Sequence, residues 1–157
     1  MKKKEGWKMR LEYRLDDEFN NYPAIYNYQD ITRIEATARM TCEYFVKDRE
    51  TFVVSATSMD PDGTAVMYVK RENYHNDSSD TIYSHIGFEV RELMGNSSRV
   101  VEKKDVWEHE EILTTLHSDF IYVHKDGKAL EFALDSREID EDRKCYVFYG
   151  KFTGKSR

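Results

Sequence analysis

The sequence has few of the residues that interrupt or crosslink a chain. Its 157 residues include only two cysteines, two prolines and seven glycines. So few prolines and glycines exclude a linker-rich or low-complexity protein. Cys42 and Cys145 lie far apart in the sequence, and neither belongs to a Cys-x-x-Cys or Cys/His cluster. Both are therefore expected to be reduced thiols of an intracellular protein rather than a disulfide or a metal site.

The chain also lacks a long apolar run. No stretch approaches the roughly 20 apolar residues that cross a bilayer, and the N-terminal segment 1–7 has no apolar core like that of a secretory signal. We therefore expect a cytoplasmic protein with no membrane contact. The formal net charge of −6 argues against nucleic acid as a partner, because such binding requires cations that neutralise phosphates.

The remaining composition is that of a folded domain. Hydrophobic residues make up 39% of the chain and aromatic residues 13%, which is enough for a core without metals or disulfides. The length predicts a single domain over residues 1–157. Short basic tails at 1–5 and 153–157 are expected to be solvated.

Hydrophobic periodicity indicates both strands and helices. Residues 7–15 alternate apolar and polar side chains, which predicts a strand. Spacings of three and four residues from Ile31 to Phe45, and again from Val106 to Leu116, predict two amphipathic helices. The turns Asp60–Gly63 and Asp126-Gly127 each predict a hairpin.

These elements predict an α+β fold with the order β-α-β-β-β-α-β-β-β. Because hairpins join most strands, we expect a mostly antiparallel β-sheet with the two amphipathic helices packed on one face. Strand, helix and hairpin occur in each half of the chain, so duplicated βαββ modules are a topological hypothesis, although no residue-level repeat accompanies them. Eight apolar side chains are predicted to be buried: Trp7, Leu11, Ile34, Phe45, Phe88, Leu113, Leu116 and Phe132.

Motifs for catalysis are weak. His109 follows Glu108 on the second predicted helix, but the second histidine of a zinc protease motif is absent. Glu102-Lys103-Lys104 matches the Glu-x-Lys of metal-dependent nucleases, in which acids hold Mg²⁺ and the lysine positions water; the alternative is a solvated turn. Tyr83, His85 and Glu89 share the polar face of one predicted strand, a position that is usually just solvated. We predict no catalytic residue, no metal ligand and no cofactor.

The most unusual segment is the Tyr- and Asn-rich stretch 19–28, which has neither the strand nor the helix period. Long connections of this kind are often functional, and tyrosine with asparagine suits adaptable binding surfaces. We therefore predict a non-enzymatic binding or regulatory module that recognises a protein or small ligand through Phe19, Tyr22, Tyr26 and Tyr28. Two alternatives stay open: these rings cover one end of the core, or the protein is a metal-dependent hydrolase or nuclease around Glu102 and Lys104. The exposed sheet edges allow a monomer or an edge-paired homodimer.

Overall fold

A computed structural model describes residues 8–72 and 81–157, which form one sheet of ten strands with two α-helices. The strands are β1 (Lys8–Leu15), β2 (Ala24–Thr32), β3 (Tyr44–Lys47), β4 (Glu50–Met59), β5 (Ala65–Glu72), β6 (Ile86–Met94), β7 (Ser97–Val106), β8 (Phe120–Lys125), β9 (Lys128–Asp140) and β10 (Cys145–Ser156). The helices are α1 (Arg33–Thr41) and α2 (Glu110–Leu116), and a short 3₁₀ helix covers Glu18–Asn20. The described helices include none that is long and apolar enough to cross a membrane.

The sheet is mixed, so the α+β class is confirmed but the prediction of a mostly antiparallel sheet is wrong. The strand order is β2-β1-β5-β4-β3-β9-β10-β6-β7, and β8 pairs with β9 beside this path. The pairs β1–β5, β6–β10 and β3–β9 are parallel. The pairs β1–β5 and β6–β10 arise because the chain leaves the first strand, passes through a second strand, a helix and two further strands, and returns beside the first strand in the same direction.

One connectivity occurs in both halves of the described chain. In β1-β2-α1-β3-β4-β5 the first strand pairs with the second and with the last, and β4 lies between β3 and β5. The unit β6-β7-α2-β8-β9-β10 repeats each of these pairings. The observed order therefore differs from the predicted one, because each unit has two strands before its helix and three after it. The parallel pair β3–β9 joins the two units.

Two regions expected to be irregular are strands. The edge strand β2 (Ala24–Thr32), which pairs with β1, covers the end of the expected connection and also residues 30–32, which were expected to begin the first helix. The C-terminal residues 153–156, expected as a tail, continue β10, and the N–H of Arg157 donates to the carbonyl of Ala129 at 2.9 Å. The N-terminal tail 1–5 and Trp7 lie outside the described residues.

The two faces of the sheet carry different side chains. Along β10, Tyr146 and Phe148 point into the main core, which includes residues of both helices, as predicted for helices packed on one face. Cys145, Val147 and Tyr149 point to the opposite side, here called the second face. Cys42 and Cys145 are buried and free.

The predicted core is mostly confirmed. Five of the eight predicted side chains are buried in the main core: Leu11, Phe45, Phe88, Leu116 and Phe132. Leu113 is half-buried, and Ile34 is exposed at the start of α1. Helix α1 begins at Arg33, so Ile34 lies in its exposed first turn, and the buried side chains of this helix are Ala36, Ala38 and Arg39.

The N-terminus of α1 gives a first testable prediction. The Thr32 hydroxyl accepts the N–H of Glu35 at 3.1 Å, which satisfies one of the unpaired donors of the first turn. We expect Thr32→Ala to lower the free energy of unfolding by about 1 kcal/mol. Thr37→Ala on the same helix is the matched control, because the exposed Thr37 hydroxyl only donates a hydrogen bond to the carbonyl of Arg33 one turn earlier and caps no free N–H group. Urea denaturation should find the control unchanged or slightly stabilised, and equal losses in both variants would contradict the cap.

Candidate functional site

The predicted binding residues Phe19 and Tyr22 lie at a turn beside the sheet edge. Phe19 is 96% exposed in the short 3₁₀ helix. Tyr22 is half-buried with a positive φ of 50°, and its ring meets that of Tyr68 edge to face at 5.3 Å between centroids. Phe19 therefore offers a free aromatic surface, whereas Tyr22 is held against the sheet.

The other two predicted residues, Tyr26 and Tyr28, belong to strand β2 and pack on the end of the core. Tyr26 meets Phe45 edge to face, and its hydroxyl donates to Asp48 at 3.0 Å. The hydroxyl of Tyr28 donates to Glu141. These contacts fit the alternative in which the aromatic residues cover one end of the core. Tyr26 and Tyr28 thus differ from Phe19, which is exposed to solvent.

The Glu102-x-Lys104 pair lies in strand β7 and not in a turn, which corrects the expected secondary structure. Glu102 faces Val90 across the strand pair, and the Lys104 ammonium sits 4.7 Å from the centre of the Phe88 ring. Within 8–72 and 81–157, no group of three or more His, Cys, Asp or Glu is placed to hold a metal ion. The geometry therefore adds nothing to the nuclease hypothesis.

The second face carries a group of buried charged side chains whose proximity was not predicted from the sequence. This buried charge cluster consists of Glu89, Arg91, Glu138, Asp140 and Arg143, each at most 5% exposed. Glu89 is its centre: it accepts hydrogen bonds from Arg91 Nε at 2.5 Å and from Arg143 Nη1 at 2.9 Å. The hydroxyl of Tyr83 also donates to Glu89, at 2.6 Å. Strands β6 and β9 and the turn before β10 supply these groups.

The pKa shifts in the cluster follow from burial and hydrogen bonding. Burial opposes ionisation of Glu89, yet hydrogen bonds from Arg143 and Tyr83 lower its pKa. Burial raises the pKa of Asp140, and a hydrogen bond from Arg143 Nε at 2.9 Å partly opposes this shift. Arg91 Nη2 is buried without a hydrogen-bond partner among the described residues. Two guanidinium groups and three carboxyl groups thus lie together in a region where each side chain is at most 5% exposed.

A cavity of about 400 Å³ lies on the second face beside this cluster. We call it the junction cavity because its walls come from both structural units, on either side of the parallel pair β3–β9. The described residues that line it are Tyr44, Glu72, Leu93, Gly95, Asp135, Ser136, Glu138 and Tyr149. Glu138 and Tyr149 are buried and form its floor, whereas Glu72 and Asp135 are exposed at its rim.

Glu138 links the buried charge cluster to the cavity. Its carboxylate accepts a hydrogen bond from the Tyr149 hydroxyl at 3.2 Å. Burial raises its pKa to about 7, and the charge of the neighbouring Asp140 adds to the shift. The Tyr44 hydroxyl across the cavity also has a raised pKa, from burial first and then from the negative charges of Glu72 and other nearby carboxylates. The described lining of the cavity therefore includes three carboxyl groups, and that of Glu138 has a pKa of about 7.

Part of this site was predicted from the sequence. Tyr83 and Glu89 were assigned to one polar strand face, and the structure places them in contact on the second face. His85 departs from that group, because it is exposed and its ring meets Trp107 at 4.0 Å between centroids. Glu138 and Asp140 lie two residues apart, on one face of β9. From sequence alone this face resembles an ordinary solvated one, because the neighbouring strands β3 and β10 are distant in the chain.

His109 has a structural environment on the helix side of the sheet. Its Nδ1 lies 3.0 Å from the Tyr146 hydroxyl, and its Nε2 lies 3.3 Å from a Glu35 carboxylate oxygen. Burial opposes ionisation of Glu35, yet hydrogen bonds and charge from His109 and Arg39 lower its pKa to about 2. These contacts tie α2 to α1 and to β10.

Comparison with known proteins adds no functional information. No protein-family model, curated protein or solved structure matches this chain. The geometry of the second face is therefore the basis on which a function can be argued.

Proposed function

We propose that this protein is a non-enzymatic binding domain that holds a small ligand in the junction cavity. The observation that carries the proposal is the coincidence of the cavity with Glu138, a buried carboxyl group at its floor with a pKa of about 7. Ligand sites are typically cavities of roughly 300–1,000 Å³ with a few convergent polar groups, and perturbed pKa values concentrate in them.

The composition of the walls supports a small-molecule ligand. Leu93 and the rings of Tyr44 and Tyr149 offer apolar surface, and Ser136 and the carboxylates offer polar contacts. Sites between two structural units are common places for ligands, because neither unit alone must fill the space with its own side chains. The repeated connectivity of the two units puts the cavity at such a junction.

A fragment screen tests this proposal. We expect a library of several hundred small compounds to contain fragments that shift NMR signals of the cavity residues. Ser136→Phe places a ring in the cavity and should abolish these shifts, while leaving the thermal unfolding temperature within a few degrees of the natural protein. Phe19→Ala is the matched control, because Phe19 lies on a separate surface and is almost fully exposed. A screen without any fragment that Ser136→Phe blocks would contradict the proposal.

A second candidate site is the aromatic turn defined by Phe19 and Tyr22. The observation in its favour is the 96% exposure of Phe19, since a large apolar side chain that stands free in solvent is a common feature of binding surfaces. The same screen separates the two candidates. Fragments whose binding is lost in Phe19→Ala but kept in Ser136→Phe would favour the aromatic turn as the site for a protein or small ligand.

A further inference from the structure

A second cavity, of about 290 Å³, lies between strand β7 and helix α2. We call it the β7–α2 groove, and its described lining shares no residue with that of the junction cavity. Lys104 and Val106 line its strand side, and Glu111 and Thr115 line its helix side. Because β7 is an edge strand, the described chain adds no strand that would close the groove beyond it. The volume is just below the roughly 300–1,000 Å³ of common ligand pockets, so a ligand of this groove must be small.

Lys104 supplies a positive charge from the strand side of the groove. Its ammonium group lies 4.7 Å from the centre of the Phe88 ring, and Val106 shares this face of β7. Asp105 lies between Lys104 and Val106 in the strand, so its side chain points to the opposite face, where it accepts a backbone N–H. No carboxylate of the described chain forms an ion pair with Lys104, and its ammonium group is therefore available to a ligand.

Glu111 supplies the opposite charge from the helix side. Its Oε2 accepts the backbone N–H groups of Trp107 and Glu108 at 2.9 and 3.4 Å, which fixes the direction of the carboxylate. Its Oε1 accepts no hydrogen bond from the described residues, and Glu111 forms no ion pair with Lys104 although both line the groove. An ammonium and a carboxylate group thus share one small cavity without contact. A ligand that carries both charges can lie between them and pair with each.

The indole ring of Trp107 gives the groove an exposed aromatic wall. Trp107 is 75% exposed, and its ring meets that of His85 edge to face at 4.0 Å between centroids. Val106 and the Phe88 ring continue the apolar surface into the groove. An aromatic group that covers the indole removes apolar surface from water and gains the ring contact as well. The walls therefore favour a ligand with an aromatic skeleton.

We propose that the β7–α2 groove binds a free aromatic amino acid, with its carboxylate against Lys104, its ammonium group against Glu111 and its ring on Trp107. A ligand with a carboxylate alone would pair with Lys104 but be repelled by Glu111, and a ligand with an ammonium group alone would meet the reverse. The Thr115 hydroxyl, about one turn beyond Glu111 on α2, can hydrogen-bond to either group of the ligand. This site is separate from the junction cavity, so the inference does not depend on the proposed function.

Three probes with the same ring and different charges test the ligand class: L-phenylalanine, 2-phenylethylamine and 3-phenylpropionate. The second probe lacks the carboxylate, and the third lacks the ammonium group. Each is titrated to about 10 mM while NMR follows the indole N–H signal of Trp107, which detects a Kd of about 1 mM. We expect phenylalanine to bind at least tenfold more tightly than either of the other probes, because it alone pairs with both charges of the groove.

Two variants test the two charges separately. We expect Lys104→Met and Glu111→Gln each to lower the affinity for phenylalanine at least tenfold. Glutamine keeps a side-chain oxygen for the two backbone N–H groups that Glu111 holds, so the loss reports the charge. Lys103→Met is the matched control, because Lys103 is the exposed neighbour in β7 and lies opposite Glu89, on the second face. Phenylalanine should bind this control like the natural protein.

The outcomes separate this site from the junction cavity. Phenylalanine should bind Ser136→Phe as it binds the natural protein, because Ser136 lines only the junction cavity. If Ser136→Phe abolishes the binding, the ligand lies in the junction cavity, which overturns this inference and supports the proposed function. The inference is also wrong if phenylalanine does not bind, if a probe with a single charge binds as tightly, or if Lys104→Met or Glu111→Gln leaves its affinity unchanged.

Discussion

Replacing Arg143 with methionine is expected to lower the free energy of unfolding by about 3–5 kcal/mol. Arg143 donates to both Glu89 and Asp140, and its side chain is only 6% exposed. Removing one member of a buried ion pair leaves the others uncompensated in a medium that disfavours charge, and this costs far more than the pair itself contributes. The loss comes from the two buried carboxylates that remain.

Equilibrium denaturation in urea measures this loss, and two further variants make it specific. Arg10→Met removes an exposed ion pair with Asp62, and such pairs contribute at most about 1 kcal/mol. Arg143→Lys keeps the positive charge but loses the forked geometry of the guanidinium group. Its free energy of unfolding should therefore lie between those of the natural protein and Arg143→Met. A loss below about 1 kcal/mol in Arg143→Met, similar to that in Arg10→Met, would show that water reaches the buried charge cluster.

Much of the fold could be predicted from the sequence where the pattern was local. Leu11 and Phe132 lie on apolar stripes of period two and are buried in β1 and β9. The turn Asp126-Gly127 joins β8 and β9 with positive φ at both residues, as this dipeptide allows. In each case a short stretch of sequence contains the whole physical cause.

Strand β3 was missed because its turn depends on a distant residue. Asp48 and Arg49 join β3 to β4 with positive φ, although neither is glycine. Their N–H groups both donate to the Asp142 carboxylate at 2.8 Å, which compensates for the unfavourable backbone. Asp142 lies more than 90 residues away in the sequence, so no local pattern could reveal this turn.

The candidate site could not be predicted for a related reason. Glu89, Glu138 and Arg143 come from three parts of the chain, and each resembles an ordinary surface charge in its own segment. Their burial depends on the parallel pairings β3–β9 and β6–β10, which hydrophobic periodicity does not encode. Strand β2 was not predicted because its partly or fully buried side chains Ile25, Tyr26, Tyr28 and Ile31 do not follow a strict period of two.

The stability of the protein should fall as the pH rises from about 4.5 to about 7, and Glu138 should cause this fall. In the unfolded chain Glu138 loses its proton near pH 4.5, whereas burial raises its pKa in the folded protein to about 7. Between these values the folded state holds a proton that the unfolded state has released, so rising pH favours unfolding. The contribution of Glu138 is present in full below about pH 4.5 and is lost above about pH 7, a change of roughly 3 kcal/mol.

Other groups near Glu138 titrate as well, so the natural protein must be compared with Glu138→Gln. The pKa of Asp140 is also raised in the folded protein, from an unfolded-state value lower than that of Glu138. Asp140 therefore also lowers the stability as the pH rises. The lowered pKa of Glu35 acts in the opposite direction, and its contribution is lost only as the pH falls from about 4.5 to about 2. Both groups are present in the variant, so the difference between the two proteins reports Glu138 together with its electrostatic coupling to Asp140.

Urea denaturation of both proteins at about pH 4.5, 6 and 8 measures this difference. We expect the natural protein to lose roughly 3 kcal/mol relative to Glu138→Gln across the series, because glutamine keeps the shape of the side chain without an ionisable group. Parallel pH profiles would mean that Glu138 has the same pKa in the folded and unfolded states. The raised pKa of Glu138 at the floor of the junction cavity would then be wrong. A diverging profile that saturates near pH 8 would instead show that the folded protein holds a proton on Glu138 that the unfolded chain has already released.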